Sequence, residues 1–242
     1  MTKSQTAAQD VAALLRARNP LLWISTGEES RVERYLFEAA ASAGYLARTW
    51  DVAAGATQLD GRPDTRIGDT AGDPDAILQA IADRKGERGL WILRDFPTWI
   101  APPVGAVTLR RLRNLARTLP SQGRDDAQAI VIISPSAEVP PELANHATVV
   151  TWPMPDREEI AALLDATVAS LPKELQATAV VNGAREAAVD AAVGLSGEEA
   201  QATFARSLVQ LKRIDPSIVS AEKQRAIRGS GAGWRALLAV RV

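Results

Sequence analysis

The chain has 242 residues, 46% of them hydrophobic, 24% charged and 5% aromatic, the make-up of a folded globular protein rather than a disordered one. Lys and Arg number 28 against 29 Asp and Glu, so the net charge of −1 supplies no global attraction to nucleic acid or anionic lipid, and any such binding has to be local. The lack of Cys excludes disulfides, thiolate metal sites and Cys nucleophiles, and the single His146 leaves no inventory for a His-based metal site or a Ser-His triad.

No stretch approaches the roughly 18 uncharged apolar residues of a membrane helix, so the expectation is a cytoplasmic protein without membrane association. Residues 1–10 (MTKSQTAAQD) read as a polar N-terminal tail. Val11, Leu14 and Leu15 then make a short amphipathic helix, which Arg16 and Arg18 favour at its end and Asn19-Pro20 stops. Leu21 to Ser25 (LLWIS) is a buried strand, and Val32, Leu36, Ala39 and Ala40 give a helix from Glu29 that Gly44 closes. Tyr45 to Trp50 (YLARTW) is a second strand. Ala53 to Gly72, rich in Gly, Asp, Thr and Ala without a period, predicts a loop.

Asp73-Pro74 is an N-cap followed by Pro in the first turn, and Ile77, Leu78 and Ile81 form the buried face of a helix that ends near Gly86. Gly89 to Leu93 (GLWIL) is a third strand, apolar enough to be covered on both faces. Thr108 to Leu119 places Leu109, Leu112, Leu115, Ala116 and Leu119 on one face and four arginines largely elsewhere. Ala129 to Ile133 (AIVII) is a fourth strand and Thr148 to Trp152 a short fifth. The alternation predicts an α/β fold, a five-stranded, mostly parallel sheet covered on both faces, over residues 11–152.

After Pro155 the pattern becomes helical. Asp156 with Glu159 and Ser196 with Glu199 are capping boxes that open helices to Val168 and Leu211. Glu174 to Val181, Glu186 to Val193 and Ile218 to Arg228 are further helical segments, so residues 156–231 form an all-helical domain and 232–242 a C-terminal tail.

A parallel core followed by helices is a common ATPase layout, in which phosphates sit after the first strand. A phosphate loop needs closely spaced glycines, a Lys for the β and γ phosphates and a Ser or Thr for magnesium. Here the turn reads Ser25-Thr26-Gly27-Glu28-Glu29-Ser30, with one glycine, no Lys and two carboxylates. Glu28 and Glu29 suit the positive end of a helix dipole and repel a polyphosphate; they read either as helix-start residues or as acidic contacts for a basic partner.

Asp95 ends the third strand where a magnesium-associated Asp would sit in a nucleotide hydrolase, but Phe96 follows it in place of a water-activating Glu, and an ordinary turn cap is the other reading. Ser134 ends the fourth strand, placed either to hydrogen-bond a γ-phosphate or to start the turn before Pro135. Gly27, Asp95 and Ser134 are thus the candidate nucleotide-site residues, with no catalytic residue and no metal ligand assigned. Arg110, Arg111, Arg113 and Arg117 put four positive charges within eight residues, with 110, 113 and 117 on adjoining turns. They read as a solvated face, as a protein interface against an acidic surface such as Glu28-Glu29, or as a nucleic-acid contact, the last disfavoured because no stacking aromatics are interleaved.

Seven blocks in register resemble the two-module AAA-type ATPase family of cyanobacteria and algal plastid genomes: LLRARNPLLWISTGEESRVE (14–33), GLWILRDF (89–96), LRRLRNLAR (109–117), AIVIISPSAEVPPEL (129–143), TVVTWPMPDREEI (148–160), GLSGEEAQATFARSLV (194–209) and EKQRAIRGSG (222–231). The resemblance implies the first, degenerate AAA module of such a protein, with the sheet and the helical lid but without a working phosphate loop. By position it puts Asp95 at the end of the second nucleotide-site strand, Ser134 on the first sensor strand, Pro155 to Ile160 at the start of the lid and Gly194 to Gly197 at the lid's final helix. It admits ATP and magnesium, although no cofactor is expected for this chain itself, and it implies self-association or docking onto an active AAA ATPase module as an assembly or regulatory unit. The rival readings are a nucleotide-binding ATPase domain with an unorthodox site and a nucleic-acid-binding module using the arginine helix.

Overall fold

The computed structural model describes residues 1–135, 138–180, 183–225 and 228. Helix α1 (Lys3–Arg16) starts well before Val11, so residues 1–10 are not a tail. Ser4, Ala8, Val11, Ala12 and Leu15 recur at helical spacing on its buried face. The first half of that face is made of small side chains, which give little hydropathy signal. Ser4 is buried without loss because its hydroxyl accepts a hydrogen bond from Arg31 Nη1 at 2.7 Å.

Strand β1 (Leu21–Ser25) leads to α2 (Glu29–Ala43), which ends at Gly44 in the left-handed conformation with its N–H on the carbonyls of Ala40 and Ala41. Strand β2 (Leu46–Asp51) is followed by a three-residue strand β3 (Gly55–Thr57) that pairs antiparallel with it. This strand lies within the stretch expected to be a loop, and the sheet therefore has six strands instead of five. Three residues are too few to display an alternating pattern, and what holds them is tertiary: Thr49 and Thr57 hydroxyls meet at 2.6 Å, and Thr70 accepts from both Ala56 N and Trp50 Nε1. Gly55 sits at φ 70°, where a Cβ would meet the Ala71 nitrogen at 2.9 Å, so this turn requires glycine.

Helix α3 (Pro74–Asp83) is capped by the Asp73 side chain, which accepts from the N–H groups of Asp75 and Ala76. Then come β4 (Gly89–Arg94), a 3₁₀ turn over Phe96–Trp99, α4 (Ala106–Thr118), β5 (Gln128–Ser134) and β6 (Thr148–Thr151). The strand order is β3-β2-β4-β5-β1-β6, parallel except for β3. Successive residues alternate between the two faces. Leu22, Ile24, Leu90, Ile92 and Val131 pack under α1 and α2, whereas Leu21, Trp23, Trp91, Leu93 and Ile132 pack with Ile77, Leu112 and Leu115 of α3 and α4. Burial on both faces explains why these strands read as continuous apolar runs.

Contacts group residues 4–152 into one compact unit and residues 1–3 with the described residues from 153 onward into another. The second unit contains α5 (Arg157–Ala169), α6 (Lys173–Ala179), α7 (Ala184–Ala192), α8 (Gly197–Leu211) and helical residues 216–225 around a core of Ile160, Leu164, Val189, Phe204 and Val219. Both capping boxes are formed, Asp156 with Glu159 and Ser196 with Glu199. Val181, the end of one expected helix, lies outside the described residues, as do 226–227, 229–231 and the expected tail 232–242.

Candidate functional site

In a parallel sheet the connections run over the faces and leave a crevice at the carboxyl ends of the strands where the chain direction reverses. Here that point is β1, flanked by β5 on one side and β6 on the other. The β1–α2 turn is tied to β5 by Thr26 N donating to the Ser134 carbonyl at 3.0 Å, and Ser25 Oγ donates to the Pro135 carbonyl at 3.3 Å. One residue back along β5, the Ile133 carbonyl accepts from Asp95 N at 2.9 Å. The topology thus brings the turn of Gly27, the start of the β4 connection at Asp95 and the end of β5 at Ser134 to one edge of the sheet.

The chemistry assembled at that edge is acidic. Glu28 N donates to the Thr26 hydroxyl at 2.9 Å, which closes the turn. The Glu28 carboxylate is buried and held by a two-pronged bond from Arg31, at 3.0 and 2.6 Å. Gly27 has a negative φ and no atom within 4 Å of where a Cβ would be, so neither strain nor close backbone approach requires glycine there. Asp95 is exposed in the left-handed conformation (φ 50°) and its side chain caps nothing, while the next residue, Phe96, is fully buried edge-on against Trp50.

Arg94, the last residue of β4, lies across this edge. Its guanidinium grips Glu33 of α2 with bonds of 2.7 and 2.8 Å, reaches Asp51 of β2 at 3.2 Å and lies 3.3 Å from Glu29. The Glu33 hydrogen bonds first, with added attraction from Glu29 and Asp51, push its pKa up against the opposing effect of burial. Glu29 moves the other way for a carboxylate. Burial raises its pKa, Arg94 partly offsets this, and the charges of Glu33, Asp95 and Asp51 raise it further.

The arginine helix is separate from this edge. Arg110 and Arg117 on α4 are exposed and make no ion pair among the described residues, Arg111 is 3.8 Å from Asp75, and Arg113 is half-buried with its Nε enclosed and unpartnered. Of the two glutamates expected to meet a basic partner, Glu28 is buried and Glu29 keeps part of its carboxylate in solvent. Arg94, Glu33 and Asp51 were invisible to local pattern, whereas Arg31 at i+3 from Glu28 has the spacing of a helix ion pair. The one hint to those three was Glu33 at i+4 from Glu29, on the same helix face. Among the described residues no cluster of His, Asp or Glu is arranged to hold a metal, and no helix is long and apolar enough to cross a membrane.

The profile of the SpoVK-like AAA ATPase N-terminal domain matches residues 7–152, and that of the second domain of the same proteins matches residues 158–230. The chain belongs to the SpoVK-like AAA ATPase family. Two curated relatives, each described as an uncharacterized AAA domain-containing protein ycf46, agree with the algal plastid resemblance. The Guillardia theta protein is 30% identical over 224 residues, covering 90% of this chain and 41% of its own length. The Pyropia yezoensis protein is 28% identical over 226 residues, covering 89% and 42%. The chain therefore spans about two fifths of the length of these relatives. Among solved structures, C. elegans PCH-2 superposes with a TM-score of 0.53 at 13% identity over 93% of this chain and 68% of its own. The FIGL-1 AAA domain does so with 0.52 at 9% identity, over 97% and 86%. These two share the AAA fold with this member of the family, and at such identities nothing more is transferred.

Proposed function

We propose that this chain is a degenerate AAA module, unable to use ATP by itself, that serves as an assembly or regulatory unit by docking onto an active AAA ATPase module or by self-association. The observation that carries the reading is the filling of the β1–α2 turn. Where a phosphate loop directs backbone N–H groups and a Lys at the β and γ phosphates, this turn holds the buried Glu28–Arg31 pair, and Glu29, Glu33, Asp51 and Asp95 lie around it with Arg94 as their counter-charge among the described residues. ATP–magnesium does not fit that residue set: a triphosphate meets carboxylates, and a cation bound by Asp95 has no phosphate-binding partner. Phe96 takes the place of a group that could activate water and is buried in the core.

Isothermal titration of the purified chain with ATP–magnesium and with ADP tests this. The expected result is no saturable heat and no phosphate release. Saturable binding lost on Asp95→Asn would instead support the unorthodox-site reading around Gly27, Asp95 and Ser134.

A further inference from the structure

We propose that the outward face of α4, with the exposed segment leading into it, is a docking surface for an acidic amphipathic segment of a partner protein. The inference rests on the reading of this chain as a docking unit and names the chemistry of what docks. Two properties meet on one stripe. At its start Val104 is 93% and Val107 61% exposed, and Ala101, Pro102, Pro103 and Ala106 are exposed beside them. Apolar side chains left largely open to water beside one another mark an interaction site rather than ordinary surface.

At helical spacing beyond Val107 come Arg110, Arg111, Asn114 and Arg117 on the same outward side. Helix α4 contains no carboxylate, and the α3 carboxylate that reaches it is Asp75, at 3.8 Å from Arg111. Arg110 and Arg117 remain unneutralised among the described residues. Alongside, a groove of about 350 Å³ between α3 and α4 is floored by Leu78, Ala82 and Leu115, wide enough to take an apolar side chain.

The stripe is polar in sequence as well as in chemistry: apolar at the N-terminal end of α4, cationic along the following roughly 15 Å. Its complement is a segment with apolar residues at one end and carboxylates at the other. Nucleic acid matches the arginines but not the valines, because bases need stacking partners and the exposed side chains of this stripe include no aromatic ring.

The test uses the full chain and fluorescence anisotropy of a labelled peptide of about ten residues, leucines in one half and glutamates in the other, alongside an order-scrambled isomer and a labelled oligo-dT. Saturable binding of the ordered peptide, weakened at least about tenfold by Arg110→Glu with Arg117→Glu and separately by Val107→Asp, is expected, with weaker binding of the isomer. Equal binding of the two peptides, or no effect of Val107→Asp, overturns the proposal. So does binding of oligo-dT alone, or sedimentation showing that the same variants abolish a dimer while no peptide binds. Nucleotide titration of the same preparation reads the phosphate site independently, so a failure there is distinguishable from a failure here.

Discussion

Arg48 shows how single residues set the stability of the sheet's outer edge. It is 1% exposed on β2, with Nε on Asp64 at 2.7 Å, Nη2 on Glu87 and its guanidinium 4.9 Å above the Trp91 ring, while Nη1 is buried without a partner. A buried cation is tolerable only while its counter-charges hold. Asp64→Asn is expected to lower unfolding free energy by about 3 kcal/mol, measured by urea denaturation at pH 7. The Arg66 hydrogen bonds, with those of Arg48, hold the Asp64 pKa far below its ordinary 3.8 despite burial. A depressed carboxylate stabilises the fold fully above that ordinary value and loses the contribution as pH falls below it. Wild type is therefore expected to lose stability on acidification more steeply than the Asn variant.

Glu29 has the opposite sign. Its raised pKa means that the folded state binds the proton more tightly than the unfolded one, so ionisation destabilises the fold as pH rises from the ordinary 4.5 through the shifted value. Glu29→Gln is expected to stabilise the protein by roughly 0–1 kcal/mol at pH 7, the exposed part of the group being screened, and by nothing near pH 3. Equal effects at both pH values would remove the electrostatic account of this edge.

At the scale of elements, the capping boxes bear on how much of the molecule was legible in the sequence. Ser196 Oγ accepts from Glu199 N at 3.2 Å and Glu199 Oε2 accepts from Ser196 N at 2.9 Å, so the motif and the helix start coincide. Ser196→Ala is expected to cost about 1 kcal/mol, seen as a lower thermal midpoint of the helical residues by circular dichroism. Features whose cause is local were readable: these caps, Gly44 as a helix stop, Asp73-Pro74 as a start, and strands apolar on both faces. Features whose cause is distant were not. β3 exists because Thr70 and Thr49 reach it across a turn, and α1 extends to Lys3 because Ser4 finds Arg31. The candidate site divides in the same way: the missing Lys and the two glutamates after β1 were plain, but the Arg94 clamp joins residues up to 61 positions apart.

At the scale of the whole molecule, each compact unit has a core of its own. Leu22, Ile92 and Val131 belong to one cluster, Trp23, Trp91 and Ile132 to a second on the other face of the same sheet, and Ile160, Val189 and Phe204 to a third made only of residues beyond 155. A unit with its own core and a size within the usual domain range can fold independently of its neighbour in the chain. We propose that residues 4–152 and 156–225 behave as two such domains, joined through Pro153 and Pro155, whose restricted backbones favour an extended connection and whose intervening Met154 is half exposed. Limited proteinase K digestion of the full chain is expected to cut first at 153–156 and to release a larger fragment that keeps its far-ultraviolet signal and a cooperative urea transition. If the first cuts fall instead inside 21–151, or if the larger fragment unfolds as soon as it is released, the α/β part depends on the helical part for its stability, and a separately folding docking module is the wrong description of the chain.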